Sequence, residues 1–217
     1  MWGFITVMND VLINSFKDLF NLDPTELSYI QLSFFGTFFF VSLIYFIISV
    51  TSGRDPINKI GYKNGMSISL VFCGLGCTIA YLASLNHSYA QFILSLFVLS
   101  LGVTCLQICA NPYATILGSE STASGRLNLA QGFNSLGTTI GPIIGSMLIF
   151  SVFSDGDKSI ESVGKTYLVY GLIFFVMAIL VMFSKLPTFV NEEKIEKGEK
   201  IFYSSSCSKE EKKMVQI

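Results

Sequence analysis

Residues 107–145 read QICANPYATILGSESTASGRLNLAQGFNSLGTTIGPIIG. Two apolar segments meet here across a short polar turn, and both carry amide and hydroxyl side chains at intervals that share one helix face. These positions are Thr104, Gln107, Asn111 and Thr115 before the turn, and Asn128, Gln131, Asn134, Ser135 and Thr138 after it. Amides cost free energy in hydrocarbon unless they face a partner or a water-filled cavity. These two polar helix faces therefore predict that the helices line a path for a polar, uncharged molecule.

The composition is that of a polytopic membrane protein. Of 217 residues, 51% are hydrophobic and only 13% are charged, whereas a soluble domain has about 25% charged residues. The mean hydropathy is +0.59. The net charge of −1 supplies no basic surface for nucleic acid, so we expect the lipid bilayer and not nucleic acid to be the partner of this chain.

The apolar segments predict an all-α membrane protein with six transmembrane helices, because about 20 apolar residues are needed to cross a bilayer. The predicted spans are residues 1–20, 29–51, 66–85, 89–117, 127–153 and 166–184. They form one bundle, residues 1–186, and the charged residues 187–217 follow as a cytoplasmic tail. Pro112 and Pro142 predict bends in the two longest helices.

The distribution of Lys and Arg predicts the orientation. With the N-terminus inside, the inner loops and the tail hold eleven of the 14 basic residues, and the outer loops hold three. Because basic residues are retained on the cytoplasmic side, both termini are expected to be cytoplasmic. The chain is expected to be a multi-pass protein of the cell (inner) membrane.

No catalytic motif is present in the sequence, so we expect no enzyme and no cofactor. A hydrolase triad, a phosphate loop and a nucleotide fingerprint are all missing. The pairs Cys73/Cys77 and Cys105/Cys109 have helical spacing, but no His or carboxylate lies close in sequence, so small packing residues are favoured over a metal site. Gly137, Gly141 and Gly145 predict close approach of another helix.

Asp10 is the one carboxylate placed deep in an apolar segment, and Thr6 and Asn14 share its helix face. A buried ionisable residue in a membrane helix is a functional hypothesis by default. The alternative is that Asp10 lies near the end of a short helix and is simply solvated.

Three segments of the chain resemble the fucose and glucose/galactose permeases of the major facilitator superfamily. They are ANPYATILG, then RLNLAQGFNSLGTTIGP, and MWGFITVMNDVL at the N-terminus. The resemblance covers residues 1–186 and implies the six-helix N-terminal half of a major facilitator fold. It also implies that Gln131 and Asn134 contact sugar, and that Asp10 takes part in substrate and proton handling. The alternative for Gln131 and Asn134 is that they only hold neighbouring helices together through hydrogen bonds.

Gln107 stands where the fucose-transporting members of that family have a glutamate, and the glucose/galactose members commonly have glutamine. A glutamine cannot change charge but can donate and accept hydrogen bonds. The resemblance therefore favours a hexose of the glucose/galactose type. It leaves Asp10 as the coupling residue for a proton or sodium ion. The expected substrate site consists of Asp10, Gln107, Asn111, Gln131 and Asn134.

The loop GRDPINKIGYKNG is similar to the cytoplasmic loop that follows the second helix of facilitators. Lys59, Gly61, Tyr62 and Lys63 match its Gly-aromatic-basic turn and form the expected gate loop. Asn58 replaces the usual acidic residue, and Asp55 is out of register. The alternative is a basic turn that only obeys the positive-inside rule.

The expected function is transport of a neutral hexose of the glucose, galactose or fucose type, coupled to a cation. Facilitators bind substrate between two six-helix halves, so the resemblance implies a second half, either a separate chain or a second copy. The alternative is a non-transporting membrane subunit, or a truncated remnant that needs a second half for activity.

Overall fold

The computed structural model of the chain describes residues 3–7, 10, 23–53, 55–153 and 159–186. These residues are helical or lie in short turns, and none of them forms a strand. The helices are α1 (residues 3–7), α2 (Pro24–Ser52), α3 (Pro56–Ile60), α4 (Tyr62–Leu85), α5 (Tyr89–Ile116), α6 (Ala123–Met147) and α7 (Ile160–Phe183). A short 3-10 helix, Glu120–Thr122, precedes α6, and a π-helical turn, Leu148–Val152, follows it.

Five helical segments of the described part are long and apolar enough to cross a membrane. They coincide with the second to sixth predicted spans, with ends displaced by up to seven residues. The predicted first span lies largely outside the described residues, and so does the predicted tail. The all-α membrane fold is thus confirmed.

Local sequence signals explain where the helices begin and end. Pro24 occupies the first position of α2, and the N–H of Asp23 donates to the Glu26 carboxylate at 3.0 Å. α2 ends at Gly53, whose φ of 60° is left-handed and suits a residue without Cβ. Ser88 accepts a hydrogen bond from the Gln91 N–H and caps α5, as a hydroxyl at this position commonly does.

α4 is the centre of the bundle and packs antiparallel against both α5 and α7. A Cβ at Gly76 would lie 2.6 Å from the Leu99 backbone nitrogen, and one at Gly74 would lie 2.8 Å from the Phe175 ring. Such close approach is how helices associate in lipid, where there is no hydrophobic driving force between them. The core on both sides is filled by fully buried side chains: Leu96, Leu99, Val103, Val163 and Phe174.

α2 and α5 run parallel and are joined by hydroxyl groups. The Tyr89 hydroxyl donates to the Glu26 carbonyl at 2.8 Å, and the buried Ser100 hydroxyl donates to the Phe34 carbonyl at 2.6 Å. Phe34 itself is fully buried. The remainder of α2 exposes large apolar side chains such as Phe39, Phe40 and Phe46, as expected for a helix that faces lipid.

α1 lies against α6 along the predicted glycine ridge. A Cβ at Gly137 would lie 3.4 Å from the Phe4 nitrogen, and one at Gly141 would lie 3.2 Å from the Phe4 carbonyl oxygen. The helix approach predicted at Gly137 and Gly141 is therefore present. Phe4 also packs edge-on against Tyr170 of α7, with ring centroids 5.4 Å apart.

Because the helix directions alternate, three features lie at the same end of the bundle. They are the connection from α2 to α4, the turn between α5 and α6, and the end of α7. We call this the loop end. The predicted gate loop lies there.

Candidate functional site: an amide cluster between α5 and α6

The turn between α5 and α6 brings two predicted site residues into contact. The Gln131 side-chain amide of α6 donates to Oδ1 of Asn111 on α5, at 3.4 Å, and both side chains are partly buried. The two helices are antiparallel, so residues 20 apart in sequence meet at one level. An amide pair of this kind retains free donors and acceptors on both groups.

Asn134 joins this cluster one turn further along α6. Its Oδ1 accepts a hydrogen bond of 2.6 Å from the backbone N–H of Gly3. The first N–H groups of a helix have no partner within that helix. Asn134 therefore caps α1 from a distant position in the sequence and fixes where α1 meets α6.

A cavity of about 250 Å³ lies beside the amide cluster. Asn111 and Asn134 both line it, so the structure places two of the predicted site residues on one wall. The other lining residues are Met66, Leu70, Leu106, Ala110, Ala130, Met177 and Val181. The lining is thus mostly apolar, which differs from the polar cavity predicted. The reason is that α4 and α7 supply part of the wall through side chains of the packed core.

Gln107 and Asp10 are placed differently from the other three residues. Gln107 lies one helical turn before Asn111 on α5, is half-buried, and makes no side-chain hydrogen bond within the described part of the chain. Asp10 is helical and exposed, and it has no hydrogen-bond or ion-pair partner among the described residues. The structure therefore unites Asn111, Gln131 and Asn134, and it does not unite Asp10 with them.

The threonines of the predicted stripes direct their hydroxyl protons to their own helices. Thr104 donates to the Ser100 carbonyl at 2.7 Å, and Thr138 donates to the Ser135 carbonyl at 2.7 Å. Thr115 donates to the Pro112 carbonyl at 2.6 Å. These three hydroxyls therefore retain only acceptor capacity, whereas each carboxamide can offer a ligand both donors and acceptors.

Arg126 is a positioning residue that the sequence did not reveal. Its guanidinium donates to the carbonyls of Ala114 (3.0 Å), Ser119 (3.1 Å) and Thr115, and to the Thr122 hydroxyl. The last carbonyls of a helix lack partners within it, and a cation is favourable at this end. Arg126 therefore holds the end of α5 to the start of α6 and sets the register of the amide cluster.

The predicted gate loop folds as a short helix between two larger ones. Asp55 caps α3 by accepting from the Ile57 N–H at 3.0 Å, and the same carboxylate oxygen accepts a short hydrogen bond from the Tyr45 hydroxyl of α2. Gly61, with φ of 80°, ends α3 and begins α4. Asp55 lies outside the register expected of the family, but it is the residue that fastens this loop.

The remaining gate-loop residues differ in burial. Tyr62 is buried and packs on Tyr113 of α5, with ring centroids 6.1 Å apart, whereas Lys59 is exposed and Lys63 is half-buried. The buried Oδ1 of Asn58 has no hydrogen-bond partner in the described structure. The aromatic residue of the loop thus serves packing, and the two lysines are available to groups outside the bundle.

Comparison with known proteins relates this architecture to transporters. The chain is 43% identical over 195 residues to the glucose/galactose transporter of Brucella abortus, covering 89% of this chain and 45% of the relative. It is 31% identical over 205 residues to the L-fucose-proton symporter of Escherichia coli, covering 86% of this chain and 45% of that protein.

A crystal structure of the E. coli fucose:proton symporter FucP superposes with a TM-score of 0.65 at 30% identity, over 86% of this chain and 47% of that one. The matched part is the N-terminal half of FucP. The chain spans about half the length of the curated relatives it matches. The model of the Major Facilitator Superfamily matches residues 1–213. The chain therefore belongs to the Major Facilitator Superfamily.

Proposed function

We propose that this chain is the N-terminal, six-helix half of a sugar permease and contributes the amide cluster of a hexose site. The observation that carries the proposal is the convergence of Asn111, Gln131 and Asn134 from two antiparallel membrane helices. A neutral polyol needs both donors and acceptors, and each carboxamide supplies both.

The position of charged residues supports an uncharged substrate. The described basic residues lie at the two ends of the bundle: Lys59, Lys63, Arg126 and Lys185 at the loop end, and Lys165 at the start of α7. An anionic substrate would need a cation at membrane depth. Two similar proteins, named as a glucose/galactose transporter and an L-fucose-proton symporter, favour a hexose of the same class.

We further propose that sugar transport is coupled to a cation and that Asp10 is the coupling residue. It is the carboxylate that the sequence places deep within a span, whereas Asp18 lies near the end of the same span. Gln107 on α5 cannot change its charge. Asp10 is exposed and unpaired among the described residues, so it is accessible to a proton or sodium ion. The similarity to a protein named as a fucose:proton symporter favours the proton.

The substrate path requires a second six-helix unit, because facilitators bind substrate between two halves. The chain matches about half of the similar transporters. The second unit is the other half of such a transporter, on this polypeptide, on a separate chain or in another copy of this chain. If no second half restores uptake, the chain is a non-transporting membrane subunit.

We place the loop end on the cytoplasmic side of the cell (inner) membrane. Among the described residues, that end carries Lys59, Lys63, Arg126 and Lys185, against the acidic Asp55 and Glu120. The opposite end carries Lys165, against Asp23, Glu26 and Glu161. This asymmetry follows the positive-inside rule. The gate loop, Lys59, Gly61, Tyr62 and Lys63, then contributes to the inner gate.

Sugar binding and sugar uptake test the two levels of the proposal separately. The purified chain in detergent should bind radiolabelled glucose, galactose or fucose, and Gln131→Ala should weaken this binding. Leu129→Ala is the matched control, because Leu129 is exposed on the same helix. Uptake is measured in proteoliposomes with the chain alone, and again with the C-terminal half of a glucose/galactose transporter added. If the chain binds sugar but neither preparation takes sugar up, the chain is a non-transporting subunit. Equal binding by the wild type and Gln131→Ala would refute the amide site.

A further inference from the structure

The apolar part of the cavity beside the amide cluster is poorly suited to a sugar. It is lined by Met66, Leu70, Leu106, Met177 and Val181, which offer a hydroxyl group no strong hydrogen-bond partner. A hydroxyl that leaves water without gaining a partner costs free energy. This part of the cavity therefore suits an apolar or aromatic group.

The direction of α1 shows which part of the chain points towards this cavity. The nitrogen of Phe4 lies beside Gly137, and its carbonyl oxygen lies beside Gly141, one turn further along α6. α1 therefore runs parallel to α6, away from the loop end. The cavity is lined by the loop-end halves of α4, α5, α6 and α7. The residue before Gly3 consequently lies on the cavity side of the contact between Gly3 and Asn134.

Trp2 is the residue that precedes Gly3, and it lies outside the described residues. The N–H of Gly3 donates to Oδ1 of Asn134 at 2.6 Å, and Asn134 lines the cavity. Because consecutive Cα atoms are about 3.8 Å apart, the Cα of Trp2 is held beside this wall. The covalent chain thus brings one large aromatic side chain within reach of the cavity.

We propose that the indole of Trp2 occupies the apolar part of this cavity. The cavity measures about 250 Å³, and a protein cavity of about 150 Å³ already accepts a benzene ring. Met66 and Met177 place thioether groups in the wall, and contacts between sulfur and an aromatic ring are favourable. Size and chemistry therefore both match an indole.

The proposal includes a hydrogen bond from the indole N–H to Oδ1 of Asn111. A buried indole N–H usually has an acceptor, and Asn111 is one of the two amide residues of the wall. Its Oδ1 accepts one hydrogen bond, from Gln131, and a carboxamide oxygen has two lone pairs. The second lone pair is the acceptor for Trp2.

A seated indole has two consequences for the amide cluster. It fills the apolar part of the cavity, so the carboxamides of Gln131 and Asn134 are the groups left for a polar ligand. It also holds Asn111 in the orientation that pairs with Gln131. The seat concerns packing within the chain and does not depend on sugar transport.

Leucine substitutions at two alanines of α5 test whether the cavity is filled. Ala110 lines the cavity, and Ala114, one turn further along, is the matched control because it is also half-buried but does not line it. In detergent, Ala110→Leu should lower the unfolding temperature of the full chain, because leucine and indole compete for one volume. In the Trp2→Ala background it should raise the unfolding temperature, because leucine fills the vacated space. Ala114→Leu should have the same effect in both backgrounds.

Free indole tests the seat by chemical rescue. Trp2→Ala should lower the unfolding temperature by roughly 6–20 °C. Added indole should restore part of this loss and should leave the wild type unchanged. 1-Methylindole, which has no N–H to donate, should restore less. This difference between the two compounds should vanish in the double variant Trp2→Ala/Asn111→Ala.

Fluorescence tests the seat without a change at residue 2. Trp2 is the only tryptophan in the sequence, so the emission of the chain reports its surroundings. Ala110→Leu should shift this emission, and Ala114→Leu should not. The proposal is overturned if the two leucine variants leave the emission alike, if Ala110→Leu has the same effect on stability with and without Trp2, or if indole and 1-methylindole stabilise Trp2→Ala equally.

Discussion

The backbone N–H of Gly3 donates a hydrogen bond of 2.6 Å to Oδ1 of Asn134, although the two residues are 131 positions apart in the sequence. The bond places the start of α1 directly on the amide cluster. It also leaves the NH₂ group of Asn134 as the part of that side chain available to a ligand. A Cβ at Gly3 would lie 2.7 Å from the Asn134 carbonyl oxygen, so this contact depends on a glycine.

Gln131 of the amide cluster, and Gln107 one turn before Asn111 on α5, should contribute more to sugar affinity than neighbouring apolar residues do. Gln131→Ala and Gln107→Ala are each expected to weaken sugar binding by roughly 1–3 kcal/mol if the amide bonds directly to a hydroxyl. Equilibrium binding of radiolabelled hexoses measures the loss. Leu129→Ala, on the exposed side of α6, is the control. If neither amide substitution changes the sugar affinity, the sugar site lies elsewhere.

Asp10→Asn should separate coupling from binding. In a complete transporter that contains this half, the substitution removes the titratable group and retains a hydrogen-bonding side chain. Concentrative uptake driven by a pH or sodium gradient should be abolished, whereas counterflow exchange of sugar should persist. Both are measured in proteoliposomes. Undiminished gradient-driven accumulation by the variant would assign coupling to the other half.

The surroundings of two glycines predict that the same change, Gly→Ala, has opposite effects on the stability of the protein at the two positions. Gly76→Ala would place a methyl group 2.6 Å from the Leu99 backbone nitrogen, and overpacking of this kind costs about 1–3 kcal/mol. Gly132→Ala on α6 meets nothing within 4 Å and should gain roughly 0.5–1 kcal/mol through helix propensity. Thermal unfolding in one detergent compares them. Equal effects would contradict the close packing of α4 on α5.

Arg126→Ala should destabilise the turn between α5 and α6. It removes donors from three carbonyls and one hydroxyl, and each unsatisfied group that is kept from water costs about 1–3 kcal/mol. Arg126→Lys should restore only part of the loss, because an ammonium cannot reproduce the planar fork. Unfolding temperature and sugar affinity should fall together. Lys185→Ala is the charge-matched control, and an equal loss in that variant would show that charge alone is responsible.

Cysteine accessibility checks the orientation. On a background without the native cysteines, a cysteine at Ser121, in the turn between α5 and α6, should react only with a reagent on the cytoplasmic side. A cysteine at Asn86, in the turn between α4 and α5, should react only from outside. The reverse pattern would invert the proposed topology.

The sequence by itself determined the membrane class, five of the spans to within a few residues, and the polar faces of α5 and α6. Composition and helical period carry that information because hydrocarbon penalises every unpaired polar group. The family followed from unbroken segments such as RLNLAQGFNSLGTTIGP. The pairing of Asn111 with Gln131 was implicit in these faces, since a short turn forces antiparallel neighbours into register.

Only the tertiary structure decided the partners that are distant in sequence. It showed that Asn134 caps α1, that Asp55 is fastened by Tyr45, and that apolar residues of α4 and α7 wall the cavity beside the amides. Arg126 appeared in the sequence as one basic residue in a turn, because nothing local reveals which carbonyls a guanidinium will reach. Helix periodicity fixes the face on which a side chain lies. The packing of one helix on another fixes what that face meets.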